Sequence, residues 1–345
     1  MAKQQKKRKI CYSGIGGQAV LEGIMMKNGD RYSVGVRKPD GEIEVVEDTF
    51  PGILSGLALK KIPFVRGIFM FIDSLTLGMR ALNYSADFYE EEEERAVRYE
   101  KDPRAEKKGG EKAAEVLVML FAFALAIGLF VILPTWVASL LENIVQRPGL
   151  RALIEGLLRL LVFVLYLAGI GLMKDIKRLY GYHGAEHKCI NCLETGHELT
   201  VRNVMRASRF HRRCGTSFLV FVVLISVILF FFIRVDHLGL RLLTRILLIP
   251  VVAGISYEVL RLAGRYDNWL IRLVSAPGIW VQHLTTREPD EQMAEVAIAA
   301  VEKVFDWKQY LETAFPELTE EDEAEEQAEL SDQFFKMNDE EEEEE

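Results

Sequence analysis

The chain has 345 residues, of which 50% are hydrophobic and 27% charged, and its net charge is −9. Between Glu312 and Glu345 there are 17 Asp or Glu and a single basic residue, Lys336, so this tail carries −16 and the rest of the chain +7. This division excludes a uniformly acidic soluble protein, and the apolar content of the body excludes wholesale disorder.

The first 52 residues predict a small β-containing region on the cytoplasmic side. Two short runs typical of strands, residues 32–37 and 42–48, flank a Lys-Pro-Asp-Gly turn at 38–41. A Gly-rich run at 14–23 precedes them. It has the spacing of neither common glycine motif for nucleotides, so we do not predict a nucleotide site there.

Residues 53–89 predict an amphipathic helix. Arg66, Asp73 and Arg80 recur every seven residues and therefore lie on one stripe of a helix. We expect this helix to lie in the membrane interface or on the membrane spans; a plain soluble amphipathic helix is the alternative. Residues 90–112 follow as a charged linker.

Long apolar runs predict a membrane region over residues 113–264. Residues 116–141 and 214–233 contain no charged side chain, and each exceeds or equals the roughly 20 residues that cross a bilayer. Pro134 should end or kink the first run. Two weaker runs, with two charges each, lie at 153–173 and 246–264. We therefore predict a mainly α integral membrane protein with about four transmembrane helices.

The distribution of basic residues predicts the orientation. The connection at 174–213 carries nine Lys or Arg against four acids, and the arm at 3–9 is also basic. The positive-inside rule then places both termini and this connection in the cytoplasm, with the chain in the cell membrane. The lipid bilayer, including anionic headgroups, is the expected partner; nucleic acid is not, and the oligomeric state stays open.

The C-terminal part predicts a cytoplasmic helical region and a tail. Within residues 265–310, Pro289 suits a first helical turn and residues 294–304 carry a helical apolar pattern. Residues 311–345 are predicted to be an acidic, disordered tail.

One short region contains most of the chemically versatile side chains. Residues 182–214 hold four of the six His and three of the four Cys. His183 and His187, four residues apart, would project from one helix face and could reach the same metal ion. With Glu186 they match H-x-x-E-H, the inverted zinc-peptidase pattern, in which the Glu takes a proton from water at the metal.

Further ligand candidates follow in sequence. His211 and Cys214 have a second metal-ligand spacing and would complete a tetrahedral set, and Glu258 is a possible extra carboxylate. These residues predict a metal-dependent, hydrolytic membrane enzyme that uses a divalent ion, zinc by its donor types. Glu186 would be its base.

Other interpretations of the same residues remain open. A complete four-residue shell leaves no open position for water, which favours a structural zinc site in a non-catalytic protein of transport, lipid handling or scaffolding. The histidines could also be solvated side chains of a basic loop that anchors to anionic lipid. Cys189 and Cys192 could be a redox pair, although no thioredoxin-like context surrounds them.

The motifs resemble those of the YqhQ-like bacterial membrane proteins, a family of unknown function whose members are predicted to be metal-dependent enzymes. The resemblance implies a metal site at His183, Glu186, His187, His211 and Cys214. Cys189 stands where Thr is more typical in the family, which weakens a redox role for Cys189. Arg212 stands where Pro is frequent, a difference that affects backbone stiffness and not a ligand. The matching segments are GGQAVLEGIMM at 16–26, VRKPDG at 36–41, HGAEHK at 183–188, HRRCGTSF at 211–218, GISYEV at 254–259 and TTREP at 285–289.

Overall fold

The computed structural model of the chain describes residues 10–57, 61–89, 109–141, 143–233, 235, 237–266 and 268–316. The start of the basic arm, the greater part of the predicted linker and the tail from residue 317 lie outside this part of the chain.

A four-stranded antiparallel sheet forms the N-terminal region, with its strands in chain order. The two runs predicted as strands at 32–37 and 42–48 are β3 and β4, each displaced by at most one residue. Strand β1 lies within the Gly-rich run at 14–23 and β2 begins at its last residue, Gly23; the glycines gave this run little strand propensity. The strands are β1 (Gly16–Val20), β2 (Gly23–Asn28), β3 (Arg31–Arg37) and β4 (Ile43–Thr49).

Helices make up most of the rest of the described chain. The first six are α1 (Val65–Ala86), α2 (Gly109–Ile127), α3 (Leu133–Leu140), α4 (Pro148–Ile170), α5 (Lys174–Glu194) and α6 (Val201–Arg206). The next six are α7 (Gly215–Phe232), α8 (Leu238–Leu247), α9 (Ile249–Arg265), α10 (Trp269–Thr285), α11 (Glu291–Val304) and α12 (Trp307–Ala314). The prediction of a mainly helical protein with a small N-terminal sheet is confirmed.

Three described helical stretches are long and apolar enough to cross a membrane, Val116–Leu140, Gly149–Ile170 and Gly215–Phe232. The pair α8 and α9, bent by 43°, makes a fourth if it is one broken span. These stretches agree with the predicted count of about four. Pro134 does not end the first stretch. The helix continues past this proline to Leu140, and a π-helical turn at Gly128–Ile132 lies just before the proline.

Polar side chains meet where α3, α4 and α8 pack together. The buried Glu155 carboxylate accepts hydrogen bonds from both Arg159, at 3.0 Å, and Arg245, at 2.6 Å. Pro134 has no N–H for the carbonyl oxygen of Phe130, four residues earlier. The Nε of Arg159 donates to that oxygen at 2.9 Å. The network therefore satisfies buried charges and the backbone group that the proline leaves free.

The sheet lies between helices on both faces. Ile24 and Met26 of β2 pack in a cluster with residues of α5 and α11, whereas the intervening Met25 packs in a second cluster with Leu77 and Ala81 of α1. Successive strand residues point to opposite faces, so β2 is buried on both. This packing holds α5, which carries the His-rich motif, firmly against the sheet.

Two predicted boundaries change in the structure, and two predicted regions gain detail. The helix expected over 53–89 begins at Val65, because prolines and glycines interrupt the preceding segment. The connection at 174–213 is largely helical, as α5 and α6. Within the region at 265–310, α10 packs closely against α7. Ser217 occupies the space that a Cβ on Gly278 would need, so a glycine is required at this contact. Residues 311–314, assigned to the disordered tail, complete α12.

Candidate metal centre

Helix α5 presents His183 and His187 close to a neighbouring backbone segment. Two glycines occur in this helix although each costs about 1 kcal/mol relative to alanine. A Cβ on Gly184 would overlap the carbonyl oxygen of Arg287, and one on Gly181 would lie 2.7 Å from the Sδ of Met293. The glycines therefore allow the segment after α10 to approach α5.

Three side chains converge at this contact. The Nε2 of His183 lies 3.0 Å from the Sγ of Cys214, the residue that caps the N-terminus of α7. His187 joins them, and the ligand atoms of all three residues lie within 4.8 Å of one another. Two imidazole nitrogens and a sulfur at this spacing can bind one metal ion in tetrahedral geometry, with bonds of about 2.0–2.3 Å.

Backbone carbonyl groups fix both imidazole rings. His183 Nδ1 donates to the carbonyl oxygen of Thr285 at 2.8 Å, and His187 Nδ1 donates to that of Arg209 at 2.6 Å. The donating Nδ1 atoms leave Nε2 as the unprotonated ring atom in each neutral imidazole. Metal-binding histidines are usually oriented in this way. The two nitrogens and the sulfur therefore fit a metal such as zinc.

The electrostatics of the cluster favour the ligand form of the cysteine. Burial alone would raise the pKa of the Cys214 thiol, but the facing imidazoles of His183 and His187 lower it well below its ordinary value. Burial opposes the charged form of His183, yet the charge of Cys214 raises its pKa to about 9. The thiolate that results is the form of cysteine that binds metals, and a metal ion that binds here would displace the proton from His183 Nε2.

Glu186 lies beside the cluster and is almost completely buried. Burial raises the pKa of its carboxyl, against the influence of His187 and His183. The backbone N–H of Gly17 in β1 faces this carboxylate. A Cβ on Gly17 would lie 3.0 Å from the Cγ of Glu186, so the Gly-rich run lets the strand close over the site.

His211 lies beside the three-residue cluster but outside it. Its ring centroid is 5.6 Å from that of His187, and its Nε2 faces Glu194 at 3.5 Å. The amide of Gln282 holds the backbone of His211, accepting from its N–H at 2.8 Å and donating to its carbonyl oxygen at 2.7 Å. Among the described residues the cluster therefore offers three protein ligands.

The other candidates from the sequence are placed elsewhere. Glu258 accepts a hydrogen bond from Arg66 at 2.7 Å, which joins α9 to α1. Cys189 and Cys192 are buried free thiols. Burial raises the pKa of Cys192 to about 12 and that of Cys189 well above its ordinary value, which disfavours a reactive thiolate.

Several residues of the site were not found by sequence reasoning. Gly17, Thr285 and Arg209 act on the cluster through backbone groups, which no side-chain pattern reveals. Glu194 of α5 and Gln282 of α10 position His211, which lies between helices. For Gly17 and Thr285 the signals were the GGQAVLEGIMM and TTREP segments, which carried the family resemblance but had no assigned role. Arg209, Glu194 and Gln282 lie outside every matching segment.

Glu194 ties the N-terminal segment to this region. The carboxylate accepts from Ser13 Oγ at 2.7 Å and also pairs with Arg213. Burial would raise its pKa, but the partners His211 and Arg213 lower it to about 2, from an ordinary value of 4.5. The ionised form therefore stabilises the fold at neutral pH, and this stabilisation is lost as the pH falls from about 4.5 towards about 2.

Glu194→Gln is expected to lower the free energy of unfolding by about 3 kcal/mol at pH 7, because it leaves Arg213 without its buried carboxylate. Chemical unfolding in detergent measures the effect, which should shrink as the pH falls below 4. Glu295→Gln, which removes an exposed partner of Arg37, is the control and should cost less than about 1 kcal/mol. Equal losses for both variants would contradict the role of Glu194.

Together, the fold and the site define a helical protein with three to four apolar helices of membrane-spanning length and a buried His/His/Cys cluster suited to a metal. A family model described as "Protein of unknown function (DUF1385)" matches residues 62–307. The chain is also 36% identical over 286 residues to "Uncharacterized protein YqhQ" of Bacillus subtilis (strain 168), covering 82% of this chain and 89% of that protein. The chain therefore belongs to the DUF1385 family. No solved structure matches it.

Proposed function

We propose that the protein is a metal-dependent hydrolase of the cell membrane, with His183, His187 and Cys214 as zinc ligands and Glu186 as the general base. The observation that carries the proposal is the number of ligands. Catalytic zinc sites commonly have three protein ligands and keep one position for water or substrate, whereas structural sites have four. Because His211 is directed to Glu194, this cluster has three.

The apolar helices and the charge distribution support the rest of the proposal. The helices of membrane-spanning length cross the bilayer, and the basic segment at 174–213 keeps α5 and both termini on the cytoplasmic side. A zinc ion bound there would polarise the substrate and lower the pKa of water. The Glu186 carboxylate is held beside the cluster, where it can take the proton of the attacking water and pass it to the leaving group.

A structural zinc site is the second candidate, and burial favours it. Only 1% of His187 and 5% of Cys214 is exposed, so any substrate must approach along the half-buried His183. The two candidates differ in what Glu186 does. In a structural site its carboxylate only packs between α5 and β1, whereas in an enzyme it is needed for turnover.

Glu186→Gln is therefore expected to keep the metal and to lower turnover by at least about 100-fold, as the loss of a general base does. Purified protein and a cell extract, incubated in H₂¹⁸O, should yield products that carry one ¹⁸O atom from bond cleavage by water. Mass spectrometry compares these products between the native chain and the variant, with metal content measured in the same samples.

Glu198→Gln is the matched control, since this carboxylate lies outside the cluster, after the end of α5. It should leave both metal and ¹⁸O incorporation unchanged. Two outcomes would contradict catalysis by Glu186 and favour the structural site, provided that the native chain and both variants bind the metal. In one, all three proteins incorporate ¹⁸O equally; in the other, none of them does.

A further inference from the structure

An apolar groove lies on the surface formed by α4, α7 and α10. Its volume is about 330 Å³, within the range of roughly 300–1,000 Å³ that is typical of ligand sites. Every lining side chain is apolar, which suits a hydrocarbon chain. The lining includes Leu157 and Leu161 of α4, Val220 and Leu224 of α7, and Trp280 and Val281 of α10.

Two of the three helices that form the groove lead to the metal cluster: Cys214 caps the N-terminus of α7, and α10 ends at Thr285 beside His183. Val220 follows Cys214 by six residues, which is about 9 Å along α7. Val281 lies one helical turn before Thr285, whose carbonyl oxygen orients His183. A chain that occupies the groove therefore has one end within two helical turns of the cluster on both walls.

The surface around this end suits a charged headgroup. Arg209, Arg212, Arg213 and the exposed Arg287 lie in the segments next to this end, and the two acids that pair with them, Glu194 with Arg213 and Glu288 with Arg209, leave a net positive charge. Trp280 is 60% exposed on α10, and Trp is enriched at the depth of lipid headgroups. Basic residues at this depth attract anionic lipids.

We propose that the substrate is an anionic phospholipid whose acyl chain occupies the groove while its ester bonds face the metal cluster. The inference rests on the proposed hydrolytic function. Water would add its oxygen to the carbon or phosphorus of the ester, the bond to the leaving alkoxide would break, and the alkoxide would receive the proton through Glu186. The products are one acid and one alcohol.

Photocrosslinking tests the position of the chain. The full-length protein, loaded with zinc, is placed in phosphatidylglycerol vesicles that contain a phosphatidylglycerol with a diazirine on its acyl chain. Labelled peptides should concentrate on Leu224 and Val281. Leu161→Trp fills the groove and should reduce this labelling and lipid hydrolysis by at least about fivefold.

Leu165→Trp is the matched control, one turn further along α4, 60% exposed and outside the groove. It should leave labelling and hydrolysis unchanged, and vesicles of phosphatidylcholine should support hydrolysis about tenfold less well. Labelling spread evenly over the apolar surface, or equal effects of the two tryptophans, would overturn the groove. If the protein cleaved water-soluble compounds with incorporation of ¹⁸O but cleaved no lipid, the lipid substrate alone would be overturned. If the purified protein contained no metal, the proposed hydrolytic function itself would be overturned.

Discussion

Cys214→Ser is expected to lower the affinity of the protein for zinc by more than about 100-fold, beyond the 10–100-fold typical for loss of an outer hydrogen-bond partner. The serine hydroxyl stays protonated at neutral pH, so one of three ligands and its negative charge are lost. Competition with a chromophoric chelator measures the affinity of the purified protein.

Cys192→Ser is the matched control for this variant. Cys192 is also buried, and its thiol donates to the carbonyl oxygen of Glu198 at 3.2 Å, a bond that a serine hydroxyl can replace. It lies outside the three-residue cluster. Zinc affinity should therefore stay within about threefold of the native protein. If Cys192→Ser lost as much affinity as Cys214→Ser, the cluster would be assigned to the wrong thiol.

Gly184→Ala is expected to cost about 3 kcal/mol or more in the free energy of unfolding and to weaken metal binding by about 10–100-fold. The new Cβ would overlap the carbonyl oxygen of Arg287, a backbone atom that cannot rotate away. The N–H of Arg287 donates to the carbonyl oxygen of Tyr180 at 2.9 Å, so separation would break this bond and displace Thr285 from His183.

Gly169→Ala is the comparison for this helix substitution. Gly169 lies in α4, and a Cβ there meets nothing within 4 Å. Alanine should change the free energy of unfolding by about 1 kcal/mol or less. Chemical unfolding in detergent measures the free energy of unfolding of both variants, and zinc titration measures their metal affinity. A Gly184→Ala protein as stable as Gly169→Ala would show that the close approach of α5 and Arg287 is not required.

The sequence predicted those parts of the fold and site that depend on local patterns. Charge-free runs longer than a bilayer crossing indicated the apolar helices, and the turn at 38–41 indicated β3 and β4. The i, i+4 spacing placed His183 and His187 on one helix face, as in α5. These features depend on residues close in sequence, so composition and periodicity were sufficient.

Long-range pairing could not be predicted in the same way. His211 has a suitable spacing to Cys214, but its ring faces Glu194, 17 residues earlier at the end of α5. Glu258 is engaged by Arg66, far away in the chain. Spacing shows which residues could bind a metal, but competing partners decide which of them are available. The difference between three and four ligands therefore became visible only in the folded chain.

X-ray absorption spectroscopy of the purified full-length protein, with the metal content of the same sample, tests the three-ligand metal centre most directly. We predict one zinc ion per chain, with a single sulfur at about 2.3 Å and nitrogen or oxygen ligands at about 2.0–2.1 Å. Added inhibitory anions should change the spectrum, because one position is open. A metal content near zero, two or more sulfur ligands, or a spectrum unchanged in His187→Ala would contradict the account.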